Sequence, residues 1–355
     1  MVVIIDGLDE CSDENLSLQL IHVLVEGTHY LPFRILFASR PESYIRQAFN
    51  SRSINLKSYF LSLRDFQAYS DVGNYLQQHL TEVHRENHHI MQGVPHPWPS
   101  REQLMALVEK SEGLFIYVST LVKYVGDRRG CLPQEKLQLA ITAHHGVDPL
   151  YVQVLLGAQD WSTYFHRVLG TIIYLHHPLA IHDLGQLLQL PSNHIRQALQ
   201  GCQSIFVLPD TDQESVQPYH ASLKDFLSDE QRAGLHFLNP KIYHVTILID
   251  CLQLIRMVHE NQSGQPLQYA CQQWCHHLCL ALSQEVTISW IINISGDIER
   301  LIEKMAEEWL KTWMYGLEDI VNLKRVCQNC ESALQKIGAS CILSNSLEYL
   351  LMTID

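Results

Sequence analysis

The chain has 355 residues, of which 46% are hydrophobic and 18% are charged, and its formal net charge at pH 7 is −13. This composition excludes a disordered chain and supports two or three domains of about 150 residues each. A protein that binds duplex nucleic acid needs a basic face, and the sequence has no run of Lys and Arg, so nucleic acid is a poor candidate as partner.

Three further features of the sequence bear on location. No positively charged start precedes a long apolar segment, and no window reaches the roughly 18 uninterrupted apolar residues of a membrane span. The ten cysteines are scattered without the spacing of a small disulfide-bonded domain. We therefore expect a cytoplasmic protein with reduced thiols and no membrane partner.

The first 66 residues show the order of a parallel α/β sheet. An apolar run, VVII at 2–5, is typical of a strand that is buried on both faces. Helical spacing follows at 14–27, and a second strand-like run, RILFASR, lies at 34–40. A third strand is predicted at 58–63, SYFLSL. Strand, helix and strand in this order predict a partial parallel sheet.

Beyond residue 66 the pattern becomes helical. An amphipathic segment at 71–84 is followed by a proline-rich loop at 88–100. Ser100 is a candidate cap for two helical stretches that hinge near Gly113. Residues 161–229 read as three helices followed by a hairpin, which is the order of a winged helix.

These patterns predict a mostly helical protein. An α/β segment comes first, and a helical lid, a winged helix and an all-α region follow it. The predicted boundaries of these four domains are 1–66, 67–150, 151–235 and 236–355.

An acidic cluster follows the first predicted strand. Asp6 ends that strand, at the edge of the sheet where open α/β folds bind ligands, and its carboxylate can hold Mg²⁺ through water. Gly7 allows the backbone to turn closely there. Asp9 and Glu10 supply carboxylates that can orient or polarise a water molecule. The alternative interpretation is an acidic turn that binds nothing.

An arginine follows the second predicted strand. Parallel strands end at the same edge of a sheet, so Arg40 is expected on the same edge as Asp6. A guanidinium beside a magnesium carboxylate is useful where phosphate charge must be sensed. The alternative is a surface arginine at a strand end, which has no function in binding.

Six motifs in order carry a resemblance to a known family. VVIIDGLDEC followed by ILFASRPES resembles the Walker B and sensor 1 motifs of NACHT-type signal-transduction ATPases. Within these, the chain is most similar to the fungal group whose domain is akin to the nephrocystin N-terminal ATPase domain. The later motifs that fit in the same order are LRDFQAYSDVGNYLQQHL, LVEKSEGLFIYVSTLVKYV, YHASLKDFLSD and LQYACQQWCHHL.

This resemblance implies roles for the cluster at the sheet edge. Asp6 would coordinate Mg²⁺ through water, with Asp9 and Glu10 handling the attacking water. Arg40 would read the γ-phosphate. The implied cofactors are ATP or ADP with Mg²⁺.

Two residues outside the α/β segment receive roles from the same resemblance. His220 matches the winged-helix histidine that reaches the diphosphate of bound ADP and holds the closed state. Its position between a hairpin strand and a helix also fits a buried structural histidine. Gly113 lies in the turn that approaches the adenine in relatives, and a core helix is the alternative there.

One motif of the family is missing from the sequence. The phosphate-binding loop, G-x-x-x-x-G-K-[ST], should precede Walker B and carries most of the phosphate grip, and the chain contains no such sequence. We therefore expect a truncated NACHT-like regulatory ATPase that neither binds ATP tightly nor hydrolyses it alone. Its expected partners are proteins, including copies of itself.

Two other classes of function remain open. The helical part could serve as a nucleotide-free scaffold for protein interaction. A winged helix can also read DNA, although the candidate recognition helix NHIRQALQG offers only Arg196 as a cation.

A metal site in the C-terminal part is the weaker of two interpretations. Structural zinc sites favour closely spaced cysteine pairs from two separate elements, so small apolar cysteines in a helical core are the better interpretation. The residues concerned are Cys271, Cys275, Cys279, His276, His277, Cys327 and Cys330.

Overall fold

The computed structural model shows a mostly helical protein with a small two-stranded parallel sheet. The chain divides into two compact units, Met1–Gln67 and Ala68–Asp355, and each is described by itself. The residues that the structure describes are 2–11, 14–28, 30, 34–40, 42–51, 54, 58–61, 68–144, 146–158, 162–257 and 264–282.

The first unit contains the predicted parallel strand pair. Strand β1 (Val2–Ile5) pairs with β2 (Arg34–Phe37) in parallel, and helix α1 (Glu14–Gly27) connects them. Helix α2 (Ser43–Asn50) follows the second strand. The predicted order of strand, helix and strand is confirmed.

The predicted burial of β1 on both faces is wrong. Val2 is 63% exposed and Ile4 is 67% exposed, while Val3 and Ile5 are half-buried. Successive side chains of a strand point to opposite faces, and the buried cluster of this unit lies on one of them. This cluster consists of Leu8, Ile21, Val25, Ile45, Ala48 and Ile54. The apolar run therefore predicts the strand correctly. It does not predict how many faces of the strand are covered by the described residues.

The prediction of a third strand is also wrong over residues 58–61. These residues have no regular structure, and Tyr59 and Phe60 are 87% and 80% exposed. Strand propensity reflects fit to a paired and half-buried surface, so an apolar segment without a ladder partner does not form a strand. Residues 62 and 63 lie outside the described part.

The second unit begins with a group of helices, and the predicted helix cap at Ser100 is confirmed. The Ser100 hydroxyl accepts a hydrogen bond from the Gln103 N–H at 3.2 Å, and the Gln103 side chain accepts one from the Ser100 N–H at 2.9 Å. This reciprocal capping box begins the second helix of the group. The helices are α3 (Tyr69–Glu86), α4 (Arg101–Lys110), α5 (Phe115–Gly126), α6 (Pro133–Thr142) and α7 (Asp148–Ala158).

Three helices and an antiparallel strand pair follow. The helices are α8 (Phe165–Tyr174), α9 (Ile181–Leu188) and α10 (Ser192–Ala198), and the strands are β3 (Phe206–Val207) and β4 (Gln217–Pro218). A bridge between Ala180 and Ser215 adds a further antiparallel contact. The predicted order of helices and hairpin is therefore present in the chain.

Four more helices close the described part of the second unit. They are α11 (Ser222–Leu227), α12 (Glu230–Ala233), α13 (Pro240–Met257) and α14 (Gln265–Leu282). In the portion of the chain described here, no helix combines the length and apolar character that a membrane crossing requires. The helical prediction for residues 283–355, including Cys327 and Cys330, lies outside the described residues.

Two buried clusters make up the core of the second unit. One cluster is formed by the helices from α3 through α6, and the other by the elements from α8 through α14. Helix α7 contributes to both, because Leu150 packs in the first cluster and the adjacent Tyr151 in the second.

Candidate functional site

The sheet edge of the first unit brings together the loops that follow β1 and β2. The Ala38 N–H donates to the Ile5 carbonyl at 2.8 Å, and the Leu8 N–H donates to the Ala38 carbonyl at 3.3 Å. Because the strands are parallel, their carboxyl ends meet here. The acidic loop and the Ser39–Arg40 segment therefore lie side by side, as the sequence predicts.

Asp9 is the residue that ties the two loops together. Its Oδ1 accepts hydrogen bonds from the Arg40 N–H at 2.8 Å and from the Ser39 hydroxyl at 3.0 Å. The Arg40 Nε lies 3.6 Å from Asp9 Oδ2. Partial burial acts to raise the pKa of Asp9, but these hydrogen bonds and the charge of Arg40 outweigh it and lower the pKa. Asp9 is therefore a firmly ionised structural group and a weak base.

Asp6 is placed differently. Its Oδ1 accepts the N–H of the next residue, Gly7, at 2.9 Å, and its side chain is exposed. Gly7 has φ 66°, a left-handed conformation that glycine adopts without steric cost. Glu10 ends the short 3₁₀ turn Leu8–Glu10, and the predicted role of its side chain falls outside what the structure describes.

The arrangement at this edge can support only part of the predicted chemistry. An exposed carboxylate such as Asp6 can hold a hydrated Mg²⁺ whose other ligands come from water or phosphate. Across the residues that the structure describes, no group of three or more His, Cys, Asp or Glu side chains is arranged to hold a metal ion.

His220 lies in the second unit and is exposed, so a buried corner position for it is wrong. Its Nδ1 accepts a hydrogen bond from the Ser222 N–H at 3.1 Å and lies 2.7 Å from the Ser222 hydroxyl. That hydroxyl is also 2.9 Å from the phenol oxygen of Tyr151 on α7. The short hairpin places His220 ahead of α11 at the surface, which sequence spacing could not reveal.

Gly113 lies in the turn between α4 and α5. Its φ is +76°, and its N–H donates to the Ser111 hydroxyl at 3.1 Å. The preceding Glu112 also has a positive φ, of 50°. The turn needs a left-handed backbone at this position, and this need alone explains why a glycine is found here, with no ligand involved. Asp6 and Arg40 belong to the first unit, whereas Gly113 and His220 belong to the second.

The second unit also contains a chain of polar groups that the sequence does not predict, in which Tyr269, His244 and His277 are buried and the exposed His176 takes part through its backbone N–H. The His176 N–H donates to the Tyr269 phenol oxygen at 3.0 Å, and this oxygen lies 2.8 Å from His277 Nε2. The Nδ1 atoms of His277 and His244 are 2.9 Å apart. We call these four residues the Tyr–His relay. In the sequence, histidines 276 and 277 were considered only with a possible metal site, which was the weaker of the two interpretations.

Arg196 on α10 is engaged by the turn that joins β3 and β4. Its guanidinium donates to Asp212 at 2.7 Å and to the carbonyls of Pro209 and Asp210 at 3.0 and 3.1 Å. The only cation of the candidate recognition helix is therefore used inside the fold. Phosphate contact by this helix would require these bonds to break.

Comparison with known proteins adds no family to this description. No family model matches the chain, and a search of curated proteins finds no match.

Replacing Asp9 with Ala is expected to destabilise the first unit by roughly 1–3 kcal/mol, because it leaves the Arg40 N–H without its acceptor and removes one of the two acceptors of the Ser39 hydroxyl. Asp6→Ala is the matched control and should change stability by no more than about 0.5 kcal/mol, since it removes one exposed local bond. Hydrogen exchange of the amides of β1 and β2 measures both. Equal effects of the two variants would contradict the structural role of Asp9.

Proposed function

We propose that the chain is part of a NACHT-like regulatory ATPase, a cytoplasmic switch that assembles in response to nucleotide. The observation that carries this proposal is the parallel pair β1 and β2, with the acidic loop and Arg40 meeting at its carboxyl edge. Open α/β sheets bind ligands at this edge. Hydrolysis in such a switch resets its state and makes no metabolic product.

In this proposal, Asp6, Asp9 and Arg40 have different roles at the sheet edge. Asp6 is the residue whose exposed carboxylate suits a hydrated Mg²⁺, and a bound magnesium ion supplies neutralising charge to phosphate groups. Asp9 holds the Arg40 backbone and side chain in place. Arg40 then offers its guanidinium to phosphate from a fixed position.

The second unit supports the proposal through its order of elements. Three helices, an antiparallel strand pair and a further helix, α11, follow one another as in a winged helix. His220 lies on the surface just before α11, where a histidine can meet an anionic ligand. The internal use of Arg196 favours a nucleotide-sensing module over a DNA reader.

The proposed switch does not turn over ATP in this form. The sequence contains no G-x-x-x-x-G-K-[ST] loop, whose backbone amides and lysine grip the phosphates. Asp9 has a lowered pKa and both its oxygens contact Ser39 or Arg40, which makes it unsuitable as a general base.

A nucleotide-free scaffold is the second candidate function. The observation that favours it is the mutual satisfaction of Asp9 and Arg40, because paired groups at a strand end hold loops together without any ligand. In this alternative the helical unit binds protein partners, and Asp6 is a solvated carboxylate.

Titration with fluorescent ADP in the presence of Mg²⁺ tests the proposed switch. We expect binding, weak because the phosphate-binding loop is missing from the sequence, that is lost in Asp6→Ala and retained in the control His182→Ala, an exposed histidine on α9. Binding absent from the wild-type protein would support the scaffold. ATP hydrolysis should be undetectable, and a magnesium-dependent turnover abolished by Asp6→Ala would contradict that expectation.

A further inference from the structure

Three basic side chains from distant parts of the chain meet at one place in the second unit. Lys224 lies on α11, His176 lies just after the end of α8, and His276 lies on α14. The ring centroids of His176 and His276 are 4.6 Å apart. The Lys224 ammonium lies 5.8 Å from the ring centre of Tyr174, the last residue of α8, and its charge acts on both imidazoles. We call Lys224, His176 and His276 the basic triad.

The basic triad is separate from the contacts that hold His220. Ser222 on α11 contacts His220 and the phenol of Tyr151. Lys224 follows Ser222 by two residues, and two residues turn a helix by about 200°. The two side chains therefore lie on nearly opposite sides of α11.

The side-chain nitrogen atoms of the basic triad are not used inside the part of the fold that the structure describes. Lys224 Nζ and the ring nitrogens of both histidines have no hydrogen bond or ion pair with any described residue. In the described contacts His176 donates through its backbone N–H, to the Tyr269 phenol oxygen. Lys224 and His176 are exposed and His276 is half-buried, so a small ligand can reach all three.

Basic groups held this close together disfavour one another's charge. Partial removal from water lowers the pKa of all three groups and is the largest cause for each of them. The charge of Lys224 also lowers the pKa of both imidazoles, and the pKa of His276 falls to about 4. Asp225, the neighbour of Lys224 in the chain, acts in the opposite direction on the lysine but does not outweigh the removal from water. An anion placed among the three groups would relieve this repulsion.

We propose that the basic triad binds a small tetrahedral oxyanion of the phosphate and sulfate class. Lys224 supplies the positive charge, and each imidazole supplies an N–H donor. Because the three groups come from three elements, the bound anion joins the end of α8 to α11 and α14. The assignment rests on the contacts and exposure of these residues and does not depend on the proposed nucleotide switch.

Anion binding is expected to raise the pKa of His276, because a nearby negative charge favours the charged imidazole. The anion-bound protein then holds more protons than the free protein, so affinity should rise roughly tenfold as the pH falls from about 7.5 to about 5.5. The other titratable groups that lie against the basic triad are His177 after α8, Tyr174 on α8, Asp225 on α11, His244 on α13, and Tyr269 and His277 on α14.

Titration of the full chain with sulfate, followed by ring nitrogen NMR on protein labelled with ¹⁵N-histidine, tests the site. Sulfate keeps both of its charges across this pH range, and sodium chloride at equal ionic strength is the reference. His276→Gln assigns the signals of His276. We expect the pKa of His276 to rise in sulfate and to stay unchanged in chloride. An unchanged pKa in sulfate, or an equal rise in chloride, would overturn the proposal.

Variants of two lysines test the source of the positive charge. Lys224→Met should weaken sulfate binding about tenfold, whereas Lys224→Arg keeps the charge and should stay within about threefold of the wild type. Lys123→Met is the matched control, because Lys123 also holds its ammonium over a tyrosine ring, 3.0 Å from the ring centre of Tyr219. It should bind sulfate as the wild type does. Unchanged binding in Lys224→Met, or equal weakening in Lys123→Met, would contradict the role of Lys224.

Discussion

Replacing Gly170 with Ala is expected to lower the free energy of unfolding of the second unit by on the order of 3 kcal/mol. Gly170 lies on α8, and a Cβ added there would come 1.9 Å from Cε1 of Tyr243 on α13. The Tyr243 ring stacks on Tyr174 at a centroid distance of 5.8 Å, and its hydroxyl donates to the His166 carbonyl at 3.0 Å. The ring cannot move aside without losing both contacts, so the two helices must separate.

Gly73→Ala on α3 is the matched control for this variant. A Cβ at Gly73 would make an ordinary contact of 3.6 Å with Val108, so alanine should stabilise the helix by up to about 1 kcal/mol. Urea unfolding measures both variants. Gly170→Ala should cost much less in a Tyr243→Leu background, because the clashing ring is then absent. An equal cost in both backgrounds would contradict the proposed packing.

Acidification is expected to destabilise the second unit through His244 and His277 of the Tyr–His relay. Burial, together with nearby charged groups that include His276 and Lys224, lowers the pKa of both imidazoles below the ordinary value of 6.5. The unfolded chain therefore binds protons that the folded chain does not. Stability is fully present above pH 6.5 and falls as the pH drops toward the lowered values, by about 1.4 kcal/mol per imidazole for each pH unit.

Protonation of both rings disrupts the contact between them. The Nδ1 atoms of His277 and His244 are 2.9 Å apart, so one of them has to be unprotonated to accept a hydrogen bond from the other. Charging both rings would place two N–H groups and two like charges face to face. Helices α13 and α14, which carry these rings, would then lose a buried contact.

Urea unfolding between about pH 7 and pH 4.5 measures this dependence. His244→Gln should reduce the slope by one proton, or about 1.4 kcal/mol per pH unit, whereas the exposed His182→Gln should leave it unchanged. A slope that is identical in the wild type and His244→Gln would contradict the assigned cause.

The sequence predicts elements well where the signal is local. Strand β1, helix α1 and the Ser100 cap follow from runs, spacing and cap chemistry within a few residues. The number of covered faces of β1 and the fate of Tyr59 and Phe60 depend on distant partners. Apolar composition alone does not specify those partners, and both predictions were wrong for this reason.

In the candidate site, too, the sequence predicts what local signals determine and misses what depends on distant partners. The meeting of the Asp6 loop with Arg40 follows from parallel strand order, which the sequence indicates. The contacts of Asp9 with Ser39 and Arg40 depend on the detailed course of two loops about 30 residues apart. The contacts that hold His220, Tyr151 and Ser222 together join residues 71 positions apart and have no periodic signal.

The position of α7 has a consequence for motion within the second unit. Its Leu150 and Tyr151 belong to different clusters, and Asp148 at its start forms a bidentate ion pair with Arg232 on α12, with both distances at 2.8 Å. A helix anchored at adjacent residues cannot tilt in one cluster without straining the other. A reorientation of α7 would therefore shift side chains in both buried clusters. A rearrangement around Tyr151 would in this way also change the packing of the cluster that includes α3.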